Sequence, residues 1–93
     1  MSKLGTIVAD INKARSQRTQ LEAERKKIGE DQERIRRNLQ SVGQGSDLGR
    51  QYIETLKKQE ERLAEIARAD QTFESEIAAK RLAAEQLTRQ LSF

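Results

Sequence analysis

Apolar positions recur along the chain in two stripes, each stepping by alternating threes and fours, on either side of Gly43-Gln44-Gly45-Ser46. The first runs Leu4, Ile7, Ile11, Ala14, Arg18, Leu21, Arg25, Ile28, Gln32, Ile35, Leu39, Val42. The second runs Tyr52, Leu56, Gln59, Leu63, Ile66, Asp70, Phe73, Ile77, Lys80, Ala84, Leu87, Leu91. A three-four repeat is the seam of a helix that pairs with another helix, and two seams joined by a short Gly-rich segment predict a chain folded back on itself. The expected fold is all-α, a long antiparallel coiled-coil helical hairpin forming a single domain, with helix 1 at about 3–42, a turn at 43–46 and helix 2 at about 47–91.

Local signals agree with that division. Gly29 interrupts the middle of the first arm, at a cost of about 1 kcal/mol relative to Ala. Gly43 follows the last stripe residue, where a left-handed cap closes a helix, and Ser46 or Asp47 can accept the free N–H groups that open the next one.

Facing residues in an antiparallel pair have numbers that sum to a constant, here 91. That register sets Gln32 against Gln59 and places Asp70 one layer from both Arg18 and Arg25. Exchange of amide hydrogen bonds between the glutamines would reject slipped registers at some cost in stability. Asp70 with Arg18 and Arg25 reads as a structural ion-pair network whose Arg stems cover apolar seam, the competing reading being a charged recognition site. On the flanks the same register expects Arg15 near Glu74 and Asp31 near Arg62.

Composition limits what such a hairpin does alone. Of 93 residues 35% are charged, Pro and Trp are absent, and the aromatics are Tyr52, Phe73 and Phe93 alone, which argues against a mixed globular core. The stripes hold few apolar side chains against the entropy of ordering the whole chain, so a partner is expected. The candidates are a second copy, giving a dimeric four-helix assembly, or a parent protein. Outside the seam, Ala64, Ala67, Gln71, Ser75, Ala78 and Leu82 form a second row on helix 2, readable as a docking face or as helix-favouring residues on a solvated one.

Chemistry is sparsely represented. Without Cys or His the chain lacks a thiol nucleophile and the commonest metal ligand and general base, and it carries no Gly-rich phosphate loop, zinc spacing or nucleophile elbow. Glu22, Glu24, Glu30, Asp31 and Glu33 fall on a convex helix surface, whereas catalysis needs a concave pocket that shifts carboxylate pKa values. No catalytic, cofactor-binding or metal-ligating residue is assigned, and the expected function is a non-enzymatic structural and protein-interaction module. The alternative is an electrostatic binder of nucleic acid or an anionic surface through helix 1, where Lys26, Lys27, Arg34, Arg36 and Arg37 cluster. Residues 1–45 carry ten basic and six acidic side chains, and 46–93 carry eight and nine. Acidic residues interleave with the cluster and no aromatic stacking platform accompanies it, which weighs against that alternative. The N-terminal segment lacks the apolar run of a signal peptide and no stretch reaches the length of a membrane span, so the chain as written is expected to be soluble, with its compartment open.

The run Glu30-Asp31-Gln32-Glu33-Arg34-Ile35-Arg36-Arg37-Asn38-Leu39, the Gly/Ser loop, and Asp47-Leu48 through Tyr52, Leu56 and Gln59-Glu60 are similar to a known bacterial pattern. They resemble the C-terminal helical hairpin of a domain-of-unknown-function family related to mucoidy inhibitor A. That hairpin carries an acidic-Gln-Glu-Arg-Ile-Arg-x-Asn-Leu run, a turn, and an Asp-Leu-x-x-x-Tyr-x-x-x-Leu-x-x-Gln-Glu run. The likeness covers the thirty or so residues around the turn, and the arms beyond it are generic. It implies an excised piece of a larger bacterial protein with a β-rich body, an exported parent among the possibilities, and an unassigned molecular function. It supplies no catalytic residue to these positions.

Overall fold

In a computed structural model describing residues 2–91, the chain forms two helices, α1 (Lys3–Val42) and α2 (Asp47–Leu91). The fold is an all-α helical hairpin, with helix ends where the sequence pattern places them. Phe93 lies outside the described residues.

The reversal between the helices is built from four residues, 43–46. Gly43 adopts φ +81°, a left-handed conformation that costs a residue bearing Cβ, and its N–H donates to the Leu39 carbonyl at 2.9 Å. The Ser46 hydroxyl donates to the Gly43 carbonyl at 2.9 Å and accepts the Gly49 N–H at 2.9 Å. Ser46 is therefore the N-cap of α2, and its carbonyl receives the first helical hydrogen bond, from Arg50 at 3.0 Å. At the other terminus Ser2 does the same for α1, its hydroxyl accepting the Gly5 N–H at 3.0 Å.

The hairpin divides into two compact units. The turn unit comprises 22–67, and the terminal unit comprises 1–21 with 68–93. Inside the turn unit Ile35 and Ile66 are almost wholly buried, with Ile28, Leu39, Tyr52, Leu56 and Leu63 half-buried. Inside the terminal unit Ile11, Ala14 and Ile77 form a buried cluster against which Ile7 and Phe73 pack. Both cores draw on stripe positions of both helices, as an antiparallel seam requires.

Half-buried positions in the seam and on its flanks carry the ties between helices. In the terminal unit Lys80 Nζ donates to Asp10 Oδ2 at 3.2 Å. In the turn unit Asn38 Nδ2 lies 3.5 Å from the Tyr52 hydroxyl, and Arg62 grips Glu24 through Nε and Nη2, the latter at 2.8 Å. The flank pairing expected between Asp31 and Arg62 is not the one formed. Asp31 is taken by Arg34 on its own helix and by Gln59, while Arg62 gains two other carboxylates, Glu24 and, at 3.0 Å, Glu65. Two carboxylates to itself are worth more to a guanidinium than a share of one. Glu74, expected near Arg15, also adds to the negative field around Arg18.

Candidate functional site

The turn unit contains a polar layer within its seam. Gln32 is a buried polar residue, 5% exposed, and its amide Nε2 donates to Glu60 Oε1 at 2.9 Å. Gln59 Nε2 donates to Asp31 Oδ2 at 2.7 Å, while its Oε1 is buried without a hydrogen-bond partner. Each glutamine reaches across to a carboxylate beside the other glutamine, which replaces the expected amide-to-amide exchange. The physical reason is the acceptor, since an anionic oxygen makes a stronger bond than a neutral amide oxygen. Hydrogen bonds from Arg34 first, and from Gln59 second, hold the Asp31 carboxyl below its ordinary pKa.

In the terminal unit Arg18 and Asp70 form a bidentate pair, Nε to Oδ1 at 2.7 Å and Nη2 to Oδ2 at 3.2 Å. This fork lowers the Asp70 pKa and raises that of Arg18, the hydrogen bond being the largest cause and partial desolvation opposing it. Arg25 is not a third member. It is exposed and bound by Glu22 of its own helix, Nε to Oε2 at 2.9 Å, and that bond raises its pKa. A partner three residues away on one helix is reached with less loss of side-chain freedom than one across the seam. The expected triad is thus a cross-helix pair and a local pair.

Glu24 is likewise held below its usual pKa by the hydrogen bond from Arg62. All three shifted carboxyls are therefore held as anions, the direction opposite to that of a general acid working near neutrality.

On the outer surface Ala64 and Ala67 in the turn unit, and Ala78 and Leu82 in the terminal unit, are exposed, as are Gln71 and Ser75. Lys26, Lys27, Arg36 and Arg37 project from α1 in the turn unit, while Arg34 is engaged by Asp31. An open depression of about 420 Å³ beside the turn is lined by Arg36, Leu39, Gln40, Gly43 and Gln44. No group of three or more metal-binding side chains converges among the described residues, and no helix among them is long and apolar enough to cross a membrane.

One structural residue escaped the sequence reading. A Cβ on Gly49 would stand 2.0 Å from the Gly43 carbonyl oxygen and 2.9 Å from Ser46 Oγ, so the turn closes only around glycine there. The available signal was the Ser-x-x-Gly spacing that places Gly49 at the third helical position after the cap. Comparison with protein-family models, curated proteins and solved structures finds no match to this chain.

Proposed function

We propose that the chain is a non-enzymatic coiled-coil interaction module that self-associates, two hairpins forming a four-helix assembly. The observation supporting this is an imbalance between buried and exposed apolar surface. Among the described residues five apolar side chains are buried, whereas six large ones, Val8, Val42, Leu48, Ile53, Leu82 and Leu91, are between 37% and 63% exposed. A thin seam leaves a helix pair short of burial, and association supplies what is missing. Sedimentation velocity over a wide concentration range tests the reading. A concentration-dependent rise from one chain to two is expected, and a folded monomer throughout overturns it.

The electrostatic alternative draws on Lys26, Lys27, Arg36 and Arg37, which make no ion pair among the described residues. Affinity for a generic duplex that falls steeply with salt would favour it, and no binding at low salt removes it. From the resemblance around the turn we also propose that the hairpin is a segment of a larger bacterial protein, in which it serves as a contact surface.

A further inference from the structure

Leu82 is 55% exposed on the terminal unit, away from the seam positions Phe73, Ile77, Lys80, Ala84 and Leu87. Ser75, Ala78 and Ala79 lie seven, four and three residues before it, on the same helix face, and are also exposed. The face thus carries one protruding side chain next to a shallow stretch. Its charges are mixed in sign, with Arg68, Glu74, Arg81 and Glu85 around it, so it does not select a partner of one charge. Arg81 is exposed and makes no ion pair among the described residues. Glu74 is exposed too, acting on Arg18 only through space.

A two-fold interface brings a patch onto itself, so the patch must complement its own reversal. Setting a second α2 antiparallel with Ala78 against Ala78 drops Leu82 into the shallow stretch bounded by Gln71, Ser75 and Ala78 of the second copy. At about 100° per residue Arg81 and Glu74 share one flank, and the reversal puts each beside the other's counterpart in the second copy. Gln71 then meets Glu85, which Arg89 of its own helix engages at 3.3 Å. Resting on the self-association reading, we propose that the second copy docks antiparallel on the outer face of α2 from Gln71 to Gln86, with Leu82 as the anchor and Arg81–Glu74 as the paired charges.

Three variants test this against the wild-type chain by sedimentation. Leu82→Asp is expected to weaken dimerisation by about a hundredfold, because two buried leucines are lost per dimer. Arg81→Glu and Glu74→Arg are each expected to weaken it by about fivefold, and the double swap to restore it. The chain has no cysteine, so Ala78→Cys places one thiol next to the axis and is expected to oxidise to a covalent dimer. A wild-type dimer that tolerates Leu82→Asp, or a charge swap without rescue, overturns this interface while self-association stands. A monomeric wild type overturns both.

Discussion

Replacing Gln59 with Leu is expected to stabilise the chain, and the amount follows from the geometry of the polar layer. The buried Oε1 has no donor, and an unsatisfied buried acceptor costs about 1 to 3 kcal/mol. Gln59→Leu removes that cost and exchanges a polar side chain for an apolar one. Against this stands the lost bond to Asp31, worth about 1.5 kcal/mol or somewhat more, although Asp31 keeps its contacts with Arg34. The net expectation is a gain of about 1 kcal/mol, a rise in Tm of roughly 4 to 8 °C for a domain this size. Gln32→Leu gains less, because it gives up the bond to Glu60 without relieving an orphaned acceptor of the kind Gln59 carries. Thermal unfolding followed by far-UV circular dichroism, at one fixed protein concentration because association raises Tm, measures all three states with the double variant. A lower Tm for Gln59→Leu refutes the orphaned acceptor.

Gly49→Ala is expected to destabilise well beyond the usual helix preference for Ala, because its Cβ would collide with the Gly43 carbonyl, and a Tm at or above wild type would contradict the close approach. Ser46→Ala, which removes the N-cap of α2, should cost about 1 kcal/mol in denaturant unfolding. Gly29→Ala should instead stabilise by roughly 0.5 to 1 kcal/mol, since nothing stands within 4 Å of a Cβ there and α1 is helical throughout. Acid should weaken the fold through Asp70 and Glu24, whose folded pKa values are depressed by Arg18 and Arg62. Their contribution is complete above the unfolded carboxylate range, about 3.9 to 4.3, and is lost as pH falls from there through the folded values. Asp70→Asn should flatten the acid limb of a Tm-against-pH curve, and an unchanged limb would count against the pair.

Helix limits were legible because the signals that set them are local. The heptad stripes mark the two arms, Gly43 supplies the positive φ, and Ser46 supplies the cap. Gly49 was not, because what it must avoid is a carbonyl six residues earlier that only the closed turn brings near. The candidate site was legible by layer and, apart from the Arg18–Asp70 pair, not by bond. Heptad spacing put Gln32, Gln59, Arg18 and Asp70 in the seam, but a seam position does not say which neighbour a long side chain chooses. That choice followed acceptor charge for the glutamines, a carboxylate three residues away for Arg25, and unshared carboxylates for Arg62. The outer row on α2 was ambiguous in sequence because small exposed residues suit a solvated face and a docking face equally.

The cross-helix bonds serve register, and on the proposed self-association the exposed apolar face would add stability. In the turn unit Glu24–Arg62, Asp31–Gln59 and Gln32–Glu60 hold one register, next to a turn that closes tightly around Gly49. In the terminal unit Arg18–Asp70 and Asp10–Lys80 fix that unit's own pairing. Such half-exposed pairs add little net stability, so their effect is to penalise a slipped pairing, in which each charge would lose its partner. Stability must come from burial, and the leucine best placed to add burial, Leu82, points away from the seam. The two roles should therefore separate in experiment. Substitutions in the polar layer should change unfolding while leaving the dissociation constant near wild type, whereas Leu82→Asp should change the dissociation constant first and lower Tm only through it. Loss of both properties together from either class of substitution would mean that seam and outer face form one cooperative core.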